Sequence, residues 1–164
     1  MQRLFLAGVV LGSSVAAAAP PPRPASQVSA ANRMAELAMN AVANTGDDAS
    51  IAKLDQAVAP SVDLLDTVIR TGDPYWKVVA EDAKRDIYQS MIVRERVAIP
   101  GADFAGHLLL EPKLAHWQES EHEAIAAIEQ IEHANPTLAK RDAVISTIIA
   151  RADEMSRPPQ MAHR

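Results

Sequence analysis

Apolar residues in the chain after residue 26 recur at spacings of three and four, and no segment there alternates apolar and polar residues as a half-buried strand does. The most regular pattern lies in residues 51–69. Its apolar positions are Ile51, Leu54, Val58, Val62, Leu65 and Ile69. Pro60 lies inside this pattern without interrupting it, so we predict one helix that is kinked at the proline.

The same spacing predicts further helices separated by turn residues. Their predicted bounds are about 26–44, 74–99, 113–133 and 136–156. Asp73-Pro74 and Asn135-Pro136 resemble an N-cap followed by a proline in the first helical position. Glu111-Pro112 either kinks a helix or starts a new one, and the pattern leaves this open. Because the connections are short, the fold class predicted is all-α, an antiparallel four- to five-helix bundle.

The first residues are typical of a secretory signal peptide. Arg3 precedes an apolar run over residues 4–11, and small residues then lead to a stretch of alanines at 16–19. We predict cleavage after Ala18. The run is shorter than the roughly 20 residues that span a bilayer, so we expect no stable membrane span after cleavage.

The predicted organisation has four parts. Residues 1–18 are the signal peptide, 19–26 a proline-rich extended stem, 27–156 the helical bundle and 157–164 a flexible tail. An exported chain of this kind is expected to be periplasmic or secreted.

Composition narrows the classes of function. The 164 residues include no cysteine, which excludes a disulfide scaffold, a cysteine-ligated zinc site and a thiol nucleophile. The formal net charge of -5 argues against nucleic acid as a partner, because such binding relies on clustered lysine and arginine. No phosphate-binding glycine loop, serine elbow or zinc-protease motif is present, so we predict no cofactor.

One group of candidate metal ligands lies on the predicted fourth helix. It comprises Glu119, His122, Glu129 and His133. Glu119 and His122 have the Glu-x-x-His spacing that di-iron carboxylate bundles use. A helical wheel places all four opposite the apolar face, whereas a di-iron site needs ligands that point inward. The favoured interpretation is a solvated face, and a peripheral metal site is the alternative.

Three charged residues fall within apolar stripes: Arg94, Glu121 and Arg141. The favoured interpretation is that Arg94 and Arg141, each near a helix end, extend to water. The alternatives are an interior pair of Arg94 and Glu121, which meet if the third and fourth helices are antiparallel, and a weak candidate catalytic or anion site made of all three. By contrast, Lys77, Glu81 and Arg85 are predicted to form exposed pairs at spacing four.

Aromatic residues are concentrated between positions 75 and 117. The candidate lining of a ligand pocket is Trp76, Tyr88, Phe104 and Trp117. Burial in an ordinary core is the alternative interpretation of the same residues.

The absence of a catalytic motif favours a non-enzymatic function through protein–protein contacts. We expect an accessory, adaptor or chaperone-like factor whose partner is an unknown protein of the cell envelope. Assembly of the chain into a homodimer is a second option that the sequence leaves open. The first helix is rich in alanine and methionine, which suits an adaptable contact surface. The alternatives are a ligand- or metal-binding bundle and, less favoured, a small all-α enzyme with an Arg/Glu site.

Overall fold

A computed structural model describes residues 23–97 and 104–157, of which residues 104–109 are described by their backbone alone. These residues form α-helices and one 3-10 turn, with no strand among them. The bounds are α1 Pro24–Ala41, α2 Asp48–Thr71, α3 Pro74–Val97, α4 Phe104–Ala134, a 3-10 turn Leu138–Lys140 and α5 Ala143–Ser156. The prediction of an all-α chain is confirmed for this part. The predicted signal peptide and residues 158–164 of the predicted tail lie outside the described residues.

The prolines inside helices do not end them. α2 continues through Pro60, and the bend predicted there stays a prediction. α4 is one helix that contains Pro112, so this proline does not begin a new element. Pro24 occupies the first turn of α1, so the end of the predicted extended stem belongs to the bundle.

Two aspartates cap helices, and one of them, Asp73, is a cap that the sequence predicts. Asp47 Oδ1 accepts a hydrogen bond from the Ser50 backbone N–H at 2.7 Å, at the start of α2. Asp73 Oδ1 accepts from the Trp76 N–H at 3.2 Å, which confirms the predicted start of α3. Before α2, Gly46 adopts a φ of 67°, a left-handed conformation that favours glycine.

The predicted start of the last helix at Asn135-Pro136 is wrong. The Asn135 side chain donates back to the Ile131 carbonyl oxygen at 2.8 Å and so completes the end of α4. The next residues form the 3-10 turn, and α5 begins only at Ala143. Its cap is Asp142, whose Oδ1 accepts from the Ile145 N–H at 2.9 Å.

α3 lies at the centre of the bundle. It packs against α1, α2, α4 and α5, while α1 also packs on α2 and α5 on α4. One apolar cluster joins α1 and α2 to α3 and the first half of α4, and a second joins the start of α3 to the end of α4 and to α5. Because neighbours surround α3, most of its circumference is buried. In the described residues, no helix is long and apolar enough to cross a bilayer.

Candidate functional site

The candidate surface lies on α1, which has two adjacent apolar stripes. The inner stripe includes Val28, Ala31 and Ala35, which are buried in the core. The second stripe, called here the outer stripe, consists of Ala30, Met34, Leu37 and Ala41. All four of its residues are exposed, Met34 to 40% and Leu37 to 60%.

The outer stripe has the geometry of a helix-packing surface. Its residues follow one another at spacings of four, three and four, the spacing by which one helix packs against another. It is about 17 Å long at 1.5 Å per residue. Alanines at both ends allow close approach of a second backbone, and the central Met34 and Leu37 supply apolar side chains that can adapt to a partner.

The alternative of an interior pair between Arg94 and Glu121 is wrong, because Arg94 turns toward the loop after α1. Its Nη1 donates to Glu95 Oε1 at 2.9 Å, and its Nη2 donates to the Val42 carbonyl oxygen. Asn44 Nδ2 donates in return to the Arg94 carbonyl oxygen at 2.7 Å. Arg94 therefore attaches the C-terminal end of α1 to α3.

A different arginine joins α3 to α4. Arg96 donates to Glu111 through Nε at 2.8 Å and through Nη2 at 2.9 Å, a bidentate pair. This hydrogen bonding to Glu111 raises the pKa of Arg96, and the charge of Glu121 contributes in the same direction. The half-buried Glu121 thus lies in the field of Arg96 rather than in contact with Arg94.

The three weak catalytic candidates do not form one site. Arg141 is exposed and lies near Tyr75, where its charge opposes the rise that burial causes in the pKa of the tyrosine. Tyr75 belongs to the first turn of α3 and Arg94 to the last. The two arginines are therefore at opposite ends of this helix, about 28 Å apart along its axis.

Among the aromatic candidates, Trp117 lies in the larger apolar cluster, and Trp76 and Tyr88 pack against this cluster. Trp117 is fully buried, and its Nε1 donates to Asp55 Oδ1 at 3.0 Å. Tyr88 borders a small surface pocket of about 110 Å³ to which Asp55 also belongs. Trp76 lies three turns earlier on α3, about 18 Å away, in edge-to-face contact with Tyr75. The side chain of Phe104 lies outside the described residues.

The candidate metal ligands follow the outside of α4. Glu119, His122 and His133 are exposed and Glu129 is half-buried. Glu129 and His133 border an acidic groove of about 410 Å³, which Asp153 of α5 also lines. Within the described part of the chain, no group of three or more histidine, aspartate or glutamate side chains is placed to hold a metal ion.

The buried charges of α3 were not predicted from the sequence. The exposed pairs predicted for Glu81 are wrong, since Glu81 is only 6% exposed and Arg85 only 2%. Arg85 Nη2 donates instead to Asp82 Oδ1 at 2.8 Å and to Asp86 Oδ1 at 2.6 Å. Aspartates stand on both sides of Arg85 in the sequence, and a buried guanidinium needs nearby carboxylates to balance its charge. This pattern was the available signal that Arg85 is buried.

Two glutamates of α3 are buried with incomplete pairing. Burial raises the pKa of Glu95, while the charge of Arg94 and a hydrogen bond from the Gly46 backbone oppose the rise. Its Oε2 accepts no hydrogen bond in the described part of the chain. Burial also raises the pKa of Glu81, and the charge of Lys84 opposes it.

Comparison of the chain with protein-family models, with curated proteins and with solved structures returns no significant match.

Proposed function

We propose that this protein is an exported accessory or adaptor that binds an amphipathic helix of a cell-envelope protein along the outer stripe. The observation that carries the proposal is the exposure of Met34 and Leu37 within a stripe of helix-packing periodicity. Apolar residues in an i, i+3, i+4 pattern are the contact points by which grooves and helices take up a partner helix.

The size of the outer stripe favours a partner chain over a stable homodimer. Stable interfaces bury about 800 Å² on each partner, involving roughly 20–30 residues. The stripe offers four apolar residues over about 17 Å, of which two are alanine. A surface of this size supports a transient contact, which suits an adaptor or a chaperone-like factor.

Export is part of the proposal and rests on the sequence of residues 1–18. Cell fractionation followed by intact-mass measurement tests it. We expect the chain in the periplasmic or secreted fraction with a mass that corresponds to cleavage after Ala18. Full-length protein confined to the cytoplasm would contradict this part of the proposal and leave the binding surface to be tested separately.

Site-specific photo-crosslinking tests the binding surface. A photoreactive amino acid at Leu37 should form one defined adduct in the native host, and the same group at Glu36, an exposed position about 100° away around α1, should not. Met34→Glu should abolish the Leu37 adduct without lowering the melting temperature, because Met34 is already partly exposed.

Val144→Glu is the matched control, since Val144 is an apolar residue of α5 that is 57% exposed. This variant should keep the adduct. Equal adducts from positions 36 and 37, or loss of the adduct in both glutamate variants, would show that the outer stripe is not a specific surface.

A further inference from the structure

A groove of about 380 Å³ lies between the end of α4 and the beginning of α3, and none of its lining residues belongs to α1. Its walls are mostly apolar, formed by Ile69, Pro74, Ala127, Ile131 and Ala134. Its polar lining comprises Lys77, Glu81, Gln130 and Asn135. The volume falls within the range of small-molecule sites, and a few polar groups among apolar walls is the usual composition of such sites.

Glu81 is the unusual member of this lining. Its side chain is more than nine-tenths buried, and it accepts no hydrogen bond from any described residue. The nearest cation is the Nζ of Lys84, at 3.8 Å from Oε2, and this ammonium makes its shorter contact with Asp66 at 2.8 Å. Glu81 is therefore a buried carboxylate whose charge is only partly compensated by the protein.

The charges around Glu81 leave an excess of negative charge. Asp66 on α2 and Glu123 on α4 both act on Glu81 as like charges. Lys84 and Lys77, both on α3, are the cations on this side. Counting Glu81 itself, three carboxylates and two ammonium groups lie here, which leaves a net negative charge. The groove therefore attracts a cation rather than an anion.

We propose that this groove binds a small organic cation, a primary ammonium group that carries an apolar body. The ammonium donates to the Glu81 carboxylate and supplies the hydrogen bonds that this group lacks. The apolar body contacts Ile69 and Ile131 and displaces water from the groove. A single carboxylate among apolar walls suits an alkylammonium, whereas a metal ion takes several oxygen or nitrogen ligands.

Titration of the full chain with hexylammonium chloride, followed by ¹H–¹⁵N NMR, tests the site. We expect saturable shifts of the Lys77, Gln130 and Ile131 amides. Hexanol has the same apolar body without the charge, and hexanoate has the opposite charge. Both should bind more weakly by about tenfold or more, since a charge-assisted hydrogen bond is lost. Equal binding of hexanol would overturn the role of Glu81.

Two substitutions separate the charge from the shape of the groove. Glu81→Gln should weaken hexylammonium binding by about tenfold or more while the fold is retained, because a buried charge is removed. Ala127→Leu should also abolish the saturable shifts, because the larger side chain fills the groove.

Glu154→Gln is the control, an exposed carboxylate of α5 outside the lining and outside the charges that act on Glu81. It should bind as the wild type does. If binding survives Glu81→Gln, or if Glu154→Gln weakens it equally, the amine is held by general surface charge and the proposal fails.

Discussion

The indole Nε1 of Trp117 donates to Asp55 Oδ1 at 3.0 Å and so joins the fully buried centre of α4 to an exposed edge of α2. The ring supplies apolar area to the core, while its one polar atom reaches a carboxylate. This bond makes Asp55 a structural residue despite its exposure. The Nε2 of His116 lies 3.6 Å from the same carboxylate oxygen.

Asp55→Ala should lower the free energy of unfolding by about 1–3 kcal/mol, because it leaves the indole N–H without its partner. Urea denaturation followed by tryptophan fluorescence measures this. Asp63→Ala is the matched control, an exposed aspartate two turns later on α2. Equal losses in the two variants would mean that the bond to Trp117 contributes nothing to stability.

Glu95→Gln should flatten the dependence of stability on pH. Burial raises the native pKa of Glu95, so the native state binds more protons than the unfolded chain between the ordinary pKa and the raised one. The free energy of unfolding contributed by this group therefore falls as pH rises through that window. Denaturation at a series of pH values measures the slope, which should be smaller in Glu95→Gln.

Glu36→Gln serves as the control for Glu95, because Glu36 is an exposed glutamate of α1. A slope in Glu95→Gln that equals the wild-type slope would show that Glu95 titrates alike in the folded and unfolded chains.

Arg85→Met should destabilise the bundle by about 2 kcal/mol, because Asp82 and Asp86 then face each other with only the more distant Arg151 as a cation. The loss is smaller than for a fully buried pair, since Asp86 is about half exposed. Arg85→Met with Asp86→Asn should recover part of the loss. Thermal unfolding checks both, with the exposed Arg70→Met as control. No recovery in the double variant would show that the loss comes from packing alone.

Pro60→Ala should raise the free energy of unfolding by about 1–3 kcal/mol. The proline is exposed within α2, and alanine restores a backbone N–H that can donate to the Gln56 carbonyl oxygen. Chemical denaturation measures the gain. Ala59→Ser, at the neighbouring exposed position, is the control. A loss of stability in Pro60→Ala would mean that packing depends on the shape that the proline imposes on α2.

Much of the helical pattern could be predicted because it depends on neighbours in the chain. The apolar spacing in residues 51–69 marks one face of α2, and the aspartate before Pro74 caps α3 through a contact only three residues away. The start of α5 was predicted wrongly even so. The Asn135 side chain can cap a new helix or donate back to the Ile131 carbonyl oxygen. In the structure it donates to Ile131.

The candidate site residues were harder to predict, because their environment depends on which helices surround them. Glu81 and Arg85 have the spacing of exposed ion pairs, but they lie on the one helix that packs against four others. Likewise, the helical wheel places Arg94 in line with apolar residues of α3, and only packing turns its side chain toward the loop after α1.

The sequence by itself therefore determined the helical class, the continuous pattern of α2 and the apolar arc of α1, since each is a periodicity of side chains along a local backbone. Tertiary structure decided which part of that arc stays exposed as the outer stripe, and it placed α3 at the centre. It also decided that Glu81 is buried beside a groove with incomplete charge compensation. The physical reason is that burial and charge pairing are properties of neighbours that are distant in the chain, and these neighbours are set only when the helices pack.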